Sequence, residues 1–333
     1  MDVPRLHLAA LPACAVLGAA LAGCGGTGHA TTVKTRASAR VAAAACASPA
    51  TCPSIAPPPN VRRPPVLLPA YPEVLDVARR SGPTGFVSAV RWRGQTVVWV
   101  ARSSSGAALL SFNQHFVGLA LHSGTVDAGG SGWKWGAAIA GPERRRVVAA
   151  FNGGFKFSTG AGGFESGGRV ALPMHARLGS IVTYAGGYTD IGSWGQEVPT
   201  PGRRVVAVRQ NLGLLIDQRT PAATAGCDSC WGATLGGVSA PARSALGITA
   251  DGRLIWAGAE SATVSQLTDA LLAAHVVRAV ELDINPEWVA GYLFGHRRGG
   301  ALLGPTPVVP GQNGIPGMFL VPYSRDFFSV LTR

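Results

Sequence analysis

The stretch Val280-Glu281-Leu282-Asp283-Ile284-Asn285-Pro286-Glu287 decides how the fold and the chemistry of this chain are interpreted. Side chains of a strand alternate between its two faces, so the pattern predicts a buried face of Val280, Leu282 and Ile284. The opposite face would carry Glu281, Asp283 and Asn285, and Pro286 would end the strand. Two interpretations fit. Either the strand holds carboxylates for acid/base or metal chemistry, or it is an edge strand with a wet polar face.

Composition predicts a strand-rich globular domain around this stretch. The chain has 333 residues, of which 47% are apolar and only 14% are charged, so it can bury a sizeable core. Many of its 45 glycines stand in pairs between short Val, Ile and Leu runs, as in strands joined by tight turns. We therefore expect an α+β fold with largely antiparallel or mixed sheets, a few helices and a single large domain over residues 67–333.

Local patterns indicate where the elements lie. Runs of β-branched and aromatic residues predict strands at Phe86–Trp92, Gln95–Arg102, Val147–Asn152, Ser180–Tyr184, Val205–Gln210 and Leu212–Asp217. A hairpin is expected from Ala245–Thr249 and Arg253–Trp256, with its turn at Asp251-Gly252. Helices are predicted at Pro72–Arg80 and, with Thr263 as N-cap, at Val264–Val276.

The N-terminus indicates export. Leu8 to Leu21 is an apolar run of signal-peptide length, and Leu21-Ala22-Gly23-Cys24 resembles the lipobox of bacterial lipoproteins. We expect a signal peptide over 1–23, lipidation of Cys24 and a disordered Ala/Pro/Thr-rich tether over 24–66. The protein would then be anchored at the outer face of the cell membrane; secretion and an uncleaved anchor are the alternatives.

The cysteines also indicate an oxidising compartment. Once Cys14 is removed and Cys24 is lipidated, an even set remains as two close pairs: Cys46 with Cys52, and Cys227 with Cys230. Two local disulfides are the prediction. A redox or zinc role for Cys227-Asp228-Ser229-Cys230 is the alternative.

The net charge of +12 predicts anionic partners, such as a phosphate-bearing envelope polymer or a membrane surface. Nucleic acid is not an expected partner, because no nucleic-acid-binding motif accompanies the charge.

Two further segments are candidates for phosphate binding. Asn152, Gly153, Gly154 and Lys156 follow a predicted strand, where glycine backbone N–H groups, an amide and a charge would face a phosphate. A plain Asn-Gly hairpin turn explains the same residues. Arg243 stands at the start of the predicted hairpin and would clamp a phosphate, or form a surface salt bridge.

The Asn152 segment, the Arg243 hairpin and the acidic stretch at Val280–Glu287, in this order along the chain, resemble the phosphodiester glycosidase family. Its Asn-Gly-Gly-Phe segment corresponds to Asn152–Phe155, its Arg-x-x-x-Gly-x-Thr-x-Asp-Gly hairpin to Arg243–Gly252, and its late Leu-Asp to Leu282–Asp283. The chain departs from the family after the aspartate, where Ile284–Glu287 replaces Gly-Gly-Gly-Ser. Asn285 and Glu287 would then take over recognition, or the site has a different function.

The resemblance implies hydrolysis of a sugar-1-phosphodiester, and export would make the substrate an envelope glycan or a phosphate-bearing polymer. Asp283 is the first candidate for the acid/base role, Glu281 and Glu287 are the second, and Glu165 or Asp217 would complete a pair of carboxylates. Arg243 and the Asn152 segment would hold the phosphate. A divalent metal on Asp283, Asn285 and Glu287 is a further possibility, and His175 is equally a structural and a catalytic candidate. The alternative function is non-catalytic binding of an anionic or sugar polymer in the envelope.

Overall fold

A computed structural model describes residues 72–74, 85–232, 237–238, 240–297, 300–302 and 304–333. The signal peptide, the lipidation site Cys24, the tether, Cys46 and Cys52 lie outside these residues, so the predictions for them remain predictions. Among the described residues, no helix is long and apolar enough to span a bilayer.

Strands dominate the described structure. Strands β1 to β7 span Glu73–Val74, Val87–Trp92, Gln95–Arg102, Ala108–Phe112, Val117–His122, Val147–Asn152 and Phe164–Ser166. Strands β8 to β13 span Arg169–Leu172, Gly179–Tyr184, Thr189–Ser193, Val205–Gln210, Leu214–Asp217 and Thr220–Pro221. Strands β14 to β19 span Arg243–Thr249, Leu254–Ala259, Val276–Glu281, Gly291–Leu293, Thr306–Pro307 and Phe327–Thr332. Helix α1 spans Val264–Ala273, and short 3-10 helices span Gly141–Arg145, Phe157–Thr159, Asp228–Trp231 and Met318–Leu320.

These strands form three antiparallel sheets. The largest has nine strands in the order β1-β2-β3-β4-β15-β14-β16-β12-β13. The other two have five strands each, in the orders β10-β9-β11-β7-β8 and β18-β17-β6-β19-β5. With one α-helix in the described residues, the fold is mostly β. The strand-rich, antiparallel expectation is confirmed, whereas the α share of the α+β expectation is smaller than predicted.

One hydrophobic core is shared by all three sheets. Phe151 of β6 lies at its centre, with ring centroids 5.9 Å from Phe112, 5.7 Å from Trp256 and 5.4 Å from Phe328. A second cluster packs the apolar face of α1 against the outer face of the nine-stranded sheet. Packing of these rings holds β6 and β19 against β4 and β15, and the candidate site lies beside the end of β6 and the start of β19.

The acidic stretch differs from its predicted form in two ways. Strand β16 is internal, between β14 and β12, and Glu281 is fully buried, so the wet edge-strand interpretation is wrong. The strand also ends at Glu281 rather than at Asn285. Its regular pairing stops there because Asp283 N donates to Gly153 O at 3.1 Å, in the loop after β6.

The helix predictions had mixed outcomes. Thr263 caps α1 as expected: its side chain accepts from Gln266 N at 3.2 Å, and Gln266 Oε1 accepts from Thr263 N at 2.9 Å. The helix stops at Ala273 instead of Val276, because His275 adopts a left-handed φ of 62° and the chain turns into β16. The helix predicted from Pro72 is wrong at Glu73–Val74, which pairs with β2, and its remainder lies outside the described residues.

Candidate active site

Four segments that are far apart in the sequence meet at one place in the fold. They are the ends of β6, β11 and β16 with the residues that follow them, and the two residues before β19; the loop after β5 adds Asp127 as a fifth segment. Asn152 pairs with Phe327 across β6 and β19, which brings the loop after β6 beside Arg325 and Asp326. We call Asp127, Asp283, Asp326, Arg209 and Arg325 the Asp–Arg cluster.

Asp283 is the buried carboxyl of this cluster and is 4% exposed. Its Oδ2 accepts from Arg325 Nη2 at 3.1 Å, and its Oδ1 accepts from Asn285 N at 2.9 Å. Burial raises the pKa of Asp283 to about 6, against the opposing effects of the Asn285 N–H group and the Arg325 charge. A carboxyl with this pKa exchanges a proton close to neutral pH, as a general acid/base must.

Arg325 connects Asp283 to a second carboxylate. Its Nη1 donates to Asp127 Oδ2 at 2.5 Å, while Nη2 also donates to Gly154 O at 3.0 Å. Among the described residues, the buried Nε of Arg325 has no partner. One guanidinium therefore holds together Asp127, Asp283 and the Gly153-Gly154 segment after β6, which we call the glycine loop.

Asp326 forms the other ion pair of the cluster. Its Oδ2 accepts from Arg209 Nε at 2.8 Å and from Gly154 N at 3.1 Å, and its main-chain oxygen accepts from Gly153 N at 3.0 Å. Arg209 and Asp326 are both almost fully buried. A buried pair of this kind requires that its remaining donors and acceptors are also satisfied, which the glycine loop does here.

The close approach of Asp326 and Arg209 explains the two glycines. A Cβ on Gly153 would lie 2.1 Å from Asp326 Oδ2, and a Cβ on Gly154 would lie 2.7 Å from the Arg209 guanidinium. The hairpin-turn interpretation is wrong, because the chain runs from β6 into the 3-10 helix Phe157–Thr159. The N–H groups of Gly153 and Gly154, which were expected to face a phosphate, donate to Asp326 instead.

Asn152 is 2% exposed and links three elements. Its Nδ2 donates to Ser244 Oγ at 2.8 Å, and that hydroxyl donates to Asp283 O at 2.9 Å. The amide therefore helps to fix the main chain of Asp283 through β14. Its predicted contact with a phosphate stays a prediction.

Arg243 and Glu281 form a further buried ion pair, with Nη1 2.7 Å from Oε1. The other Arg243 donors face the main-chain oxygens of Asp228, Trp231 and Ala262. Burial raises the pKa of Glu281 to about 8, with Arg243 opposing the shift. The surface salt-bridge interpretation of Arg243 is wrong, because Arg243 is 1% exposed. In this arrangement its guanidinium holds Glu281 and the 3-10 helix Asp228–Trp231.

That 3-10 helix carries the predicted disulfide. Cys227 and Cys230 are bonded to each other, so the disulfide prediction is confirmed and the zinc alternative is not supported for this pair. Trp231 is 4% exposed and packs in the hydrophobic cluster that includes the apolar face of α1. The disulfide thus closes the segment whose carbonyl groups bind Arg243.

The rim of the site is formed by an aromatic ring between two cations. Trp288 is half-buried, with Arg325 Cζ 4.5 Å and Lys156 Nζ 4.6 Å from its ring centroid. Such cation–π contacts orient both charges. Lys156 is exposed and is therefore the cation of this group that a solvent-borne anion reaches first.

The segment Asp283–Glu287 forms two consecutive turns. Asn285 N donates to Asp283 Oδ1 and Glu287 N donates to Asn285 Oδ1, both at 2.9 Å. Glu287 is exposed. Within the described ranges, no three His, Cys, Asp or Glu side chains are grouped to hold a metal ion. The proposed ligands Asp283 and Asn285 each commit an oxygen to the main chain instead.

Three candidates lie away from Asp283. Asp217 ends β12 beside the start of β16, where Arg219 N donates to Val277 O at 3.0 Å, at the opposite end of the strand from Glu281. Glu165 faces away from the cluster, because its neighbour Phe164 is the residue paired with Arg209. His175 is exposed, and only its main chain is bonded to Gln210.

Sequence patterns did not identify Asp127, Arg209, Trp288, Arg325 or Asp326 as site residues. One signal was present: Arg325-Asp326 is a charged pair directly before the apolar run of β19, in a chain with only 14% charged residues. Arg209-Gln210-Asn211 is a similar signal at the end of β11, and all three residues are buried. Buried charges need partners, so such pairs predict a polar cluster.

No protein-family model and no curated protein matches this chain. Among solved structures, it is similar to the catalytic domain of zebrafish N-acetylglucosamine-1-phosphodiester alpha-N-acetylglucosaminidase, auto-inhibited by its pro-peptide. The identity is 13%, the TM-score is 0.44, and the match covers 80% of this chain and 89% of that one. A hypothetical protein from Synechocystis matches at 14% identity and a TM-score of 0.38, covering 73% and 65%. Likenesses this distant carry no argument about activity.

Proposed function

We propose that this protein is a hydrolase that cleaves the glycosidic bond of a sugar-1-phosphodiester, with Asp283 as the acid/base residue. The observation that carries the proposal is the Asp283 carboxyl, which is buried, held by Arg325 and shifted to a pKa of about 6. The order of motifs that resembles the phosphodiester glycosidase family supports the substrate class.

The charges around the site support an anionic substrate. Lys156 is exposed beside Trp288, and the whole chain carries a net charge of +12. A cationic surface attracts a phosphodiester and raises its local concentration. The natural substrate would be a phosphate-bearing glycan of the envelope, since the N-terminal sequence predicts an exported, lipid-anchored protein.

The chemistry follows from the environment of Asp283. The protonated carboxyl donates its proton to the bridging phosphate oxygen as the bond from that oxygen to the anomeric carbon breaks. Arg325 then stabilises the carboxylate that forms, because an adjacent positive charge favours the ionised state. Water completes the reaction and returns a proton to Asp283, so the products are the free sugar and a phosphomonoester.

A non-catalytic envelope protein that binds an anionic or sugar polymer is the second candidate. One observation favours it: the groups that the family resemblance assigns to phosphate are engaged within the protein. Gly153 and Gly154 donate to Asp326, and Arg243 is held by Glu281. A binding protein would bind its polymer only through the two cations beside Trp288, Lys156 and Arg325.

Release of free sugar tests the proposal. The full chain would be assayed with N-acetylglucosamine 1-(methyl phosphate) and glucose 1-(methyl phosphate), with and without chelator. We expect turnover that Asp283→Asn lowers at least about a hundredfold. The matched control is Asp217→Asn, at the other end of β16, and it should leave the rate unchanged. No turnover, together with polymer binding that survives Asp283→Asn, would establish the binding protein instead.

A further inference from the structure

Asp127 and Asp283 are held by the same guanidinium although 156 positions of sequence separate them. Asp127 Oδ2 is bonded to Arg325 Nη1, and Asp283 Oδ2 to Arg325 Nη2. The planar fork of arginine fixes the directions of its donors, so it also fixes the two carboxylates relative to each other. No sequence motif pointed to Asp127.

The loop that carries Asp127 is fixed to the segment before β19. Thr125 N donates to Tyr323 O at 2.8 Å, and Val126 N and Asp127 N donate to Ser324 O at 3.0 and 3.1 Å. The approach is close enough that a Cβ on Gly124 would lie 2.3 Å from Ser324 O. The same segment therefore delivers Arg325 and anchors the carboxylate that Arg325 binds.

The two carboxylates occupy different environments. The Asp127 side chain is 14% exposed, whereas that of Asp283 is 6% exposed. Oδ2 of Asp127 accepts from Arg325 and, at 3.4 Å, from Phe157 N. Among the residues that the structure describes, its Oδ1 has no hydrogen-bond partner. Asp127 is thus the more exposed of the two carboxylates, and paired carboxyl groups in unequal environments take different roles.

We propose that Asp127 is the second catalytic carboxylate of this site, and that it acts as the nucleophile of a double displacement. The inference rests on the proposed function. Bridging by a single guanidinium keeps the two groups close together, which favours the separation of about 5 Å found in retaining glycosidases over the wider one of inverting enzymes. The released sugar therefore retains its anomeric configuration.

Each step balances. Asp127 attacks the anomeric carbon, the bond from that carbon to the phosphate oxygen breaks, and its electron pair leaves with the proton that Asp283 donates. A water molecule then attacks the glycosyl–Asp127 ester while Asp283 takes one of its protons. The bond to Asp127 breaks, which regenerates its carboxylate, the protonated Asp283 and a free sugar.

Proton NMR of the newly released sugar and azide rescue test this role in the full chain, with the same two sugar phosphodiesters. We expect a first product with the anomeric configuration of the substrate. Asp127→Ala should slow release at least about a hundredfold, and azide should restore turnover by forming a glycosyl azide of opposite configuration. A merely structural residue gives no such azide product.

Asp190→Ala is the matched control, because Asp190 of β10 pairs with Arg278 in the first half of β16 at 3.1 Å, in a partly buried ion pair that does not involve Arg325. It should retain the wild-type rate. Asp127→Asn, which preserves the shape of the side chain, covers the case in which Asp127→Ala does not fold, and it should be equally slow. Near-ultraviolet circular dichroism identifies the folded variants.

Inversion of configuration by the wild type would overturn the inference. So would an Asp127 variant within about threefold of the wild-type rate, or a folded Asp127→Ala that azide does not rescue. In each of these cases turnover by the wild type would still support the proposed hydrolase function, and only the role of Asp127 would be rejected. Absence of wild-type turnover on both probes would overturn the two together.

Discussion

Arg325 and Asp283 form a buried ion pair in which Nη2 lies 3.1 Å from Oδ2. The pair joins the segment before the last strand to the loop after β16, two regions that sequence patterns treat separately. Because Asp127 and Gly154 bind the same guanidinium, the geometry of the candidate active site depends on Arg325.

Replacement of Arg325 by Met should therefore destabilise the fold by about 3–5 kcal/mol, because it leaves a buried carboxyl without its charge partner. Arg325→Lys keeps the charge but loses the fork, and should fall between Met and wild type. Urea unfolding measures both. Arg278→Met, in the partly exposed pair with Asp190, is the control and should change the free energy of unfolding by about 1 kcal/mol at most. Equal small losses at both arginines would contradict the importance of the Arg325 bridge.

Asp283 should make stability depend on pH. The folded-state pKa of about 6 lies above the ordinary value of 3.8, so the native state binds the proton more firmly than the unfolded chain. Unfolding then becomes easier as pH rises from about 4 to 6, by about 3 kcal/mol in total. Asp283→Asn lacks this contribution.

Denaturation of wild type and Asp283→Asn at pH 4, 5, 6 and 7 checks the pH effect. The free energy of unfolding of the variant should increase relative to wild type across the window, and the variant should be relatively most stable at pH 7. A difference that stays constant with pH would show that the carboxyl has an ordinary pKa.

Gly153→Ala should destabilise the protein by about 1–3 kcal/mol or more, since the added methyl group would overlap the Asp326 carboxylate. Gly136→Ala is the matched control, because a Cβ there meets nothing within 4 Å and no positive φ is required. It should be neutral or slightly stabilising. Thermal unfolding of the two variants under one condition would make the comparison, and equal melting temperatures would contradict the packing account.

Removal of the Cys227–Cys230 disulfide should cost about 2 kcal/mol, because the loop that it closes is short. The double variant Cys227→Ser/Cys230→Ser tests this by urea unfolding. If the disulfide also fixes the carbonyl groups that bind Arg243, the loss should be coupled to that of Arg243→Lys in a double-mutant cycle. Strict additivity would mean that the Asp228–Trp231 helix holds its place without the disulfide.

Local signals were sufficient for much of the fold. The strands Gln95–Arg102, Val147–Asn152 and Val205–Gln210 match the structure at both ends, and Thr263 caps α1. The three strands are runs rich in β-branched and aromatic residues bounded by turn residues, and the helix start has a specific capping chemistry. Strands β5 and β19 were not predicted in their extent; like β6 they are almost wholly buried, but their sequences VGLALH and FFSVLT are less rich in β-branched residues than those of β3 and β11.

The site was predictable only in part, for a physical reason. Asp283 and the glycine pair were recognisable from their motifs, but their partners Asp127, Arg209 and Arg325 are brought to them by tertiary packing of separate sheets. The resemblance led us to expect that Arg243 and the two glycines bind a phosphate. In the structure Arg243 is paired with Glu281 instead, and Gly153 and Gly154 donate to Asp326. Side chains that pair between different sheets have no regular spacing in the sequence, so periodicity cannot predict their contacts.

The pH dependence of sugar release by the full chain tests the central claim most directly. The account predicts that kcat/KM for N-acetylglucosamine 1-(methyl phosphate) falls above an apparent pKa of about 6, as Asp283 loses the proton that it must donate. Asp217→Asn should leave that limb unchanged. A rate that is flat from pH 4 to 8, or a limb that persists in Asp283→Asn, would contradict the assignment of Asp283 as the acid.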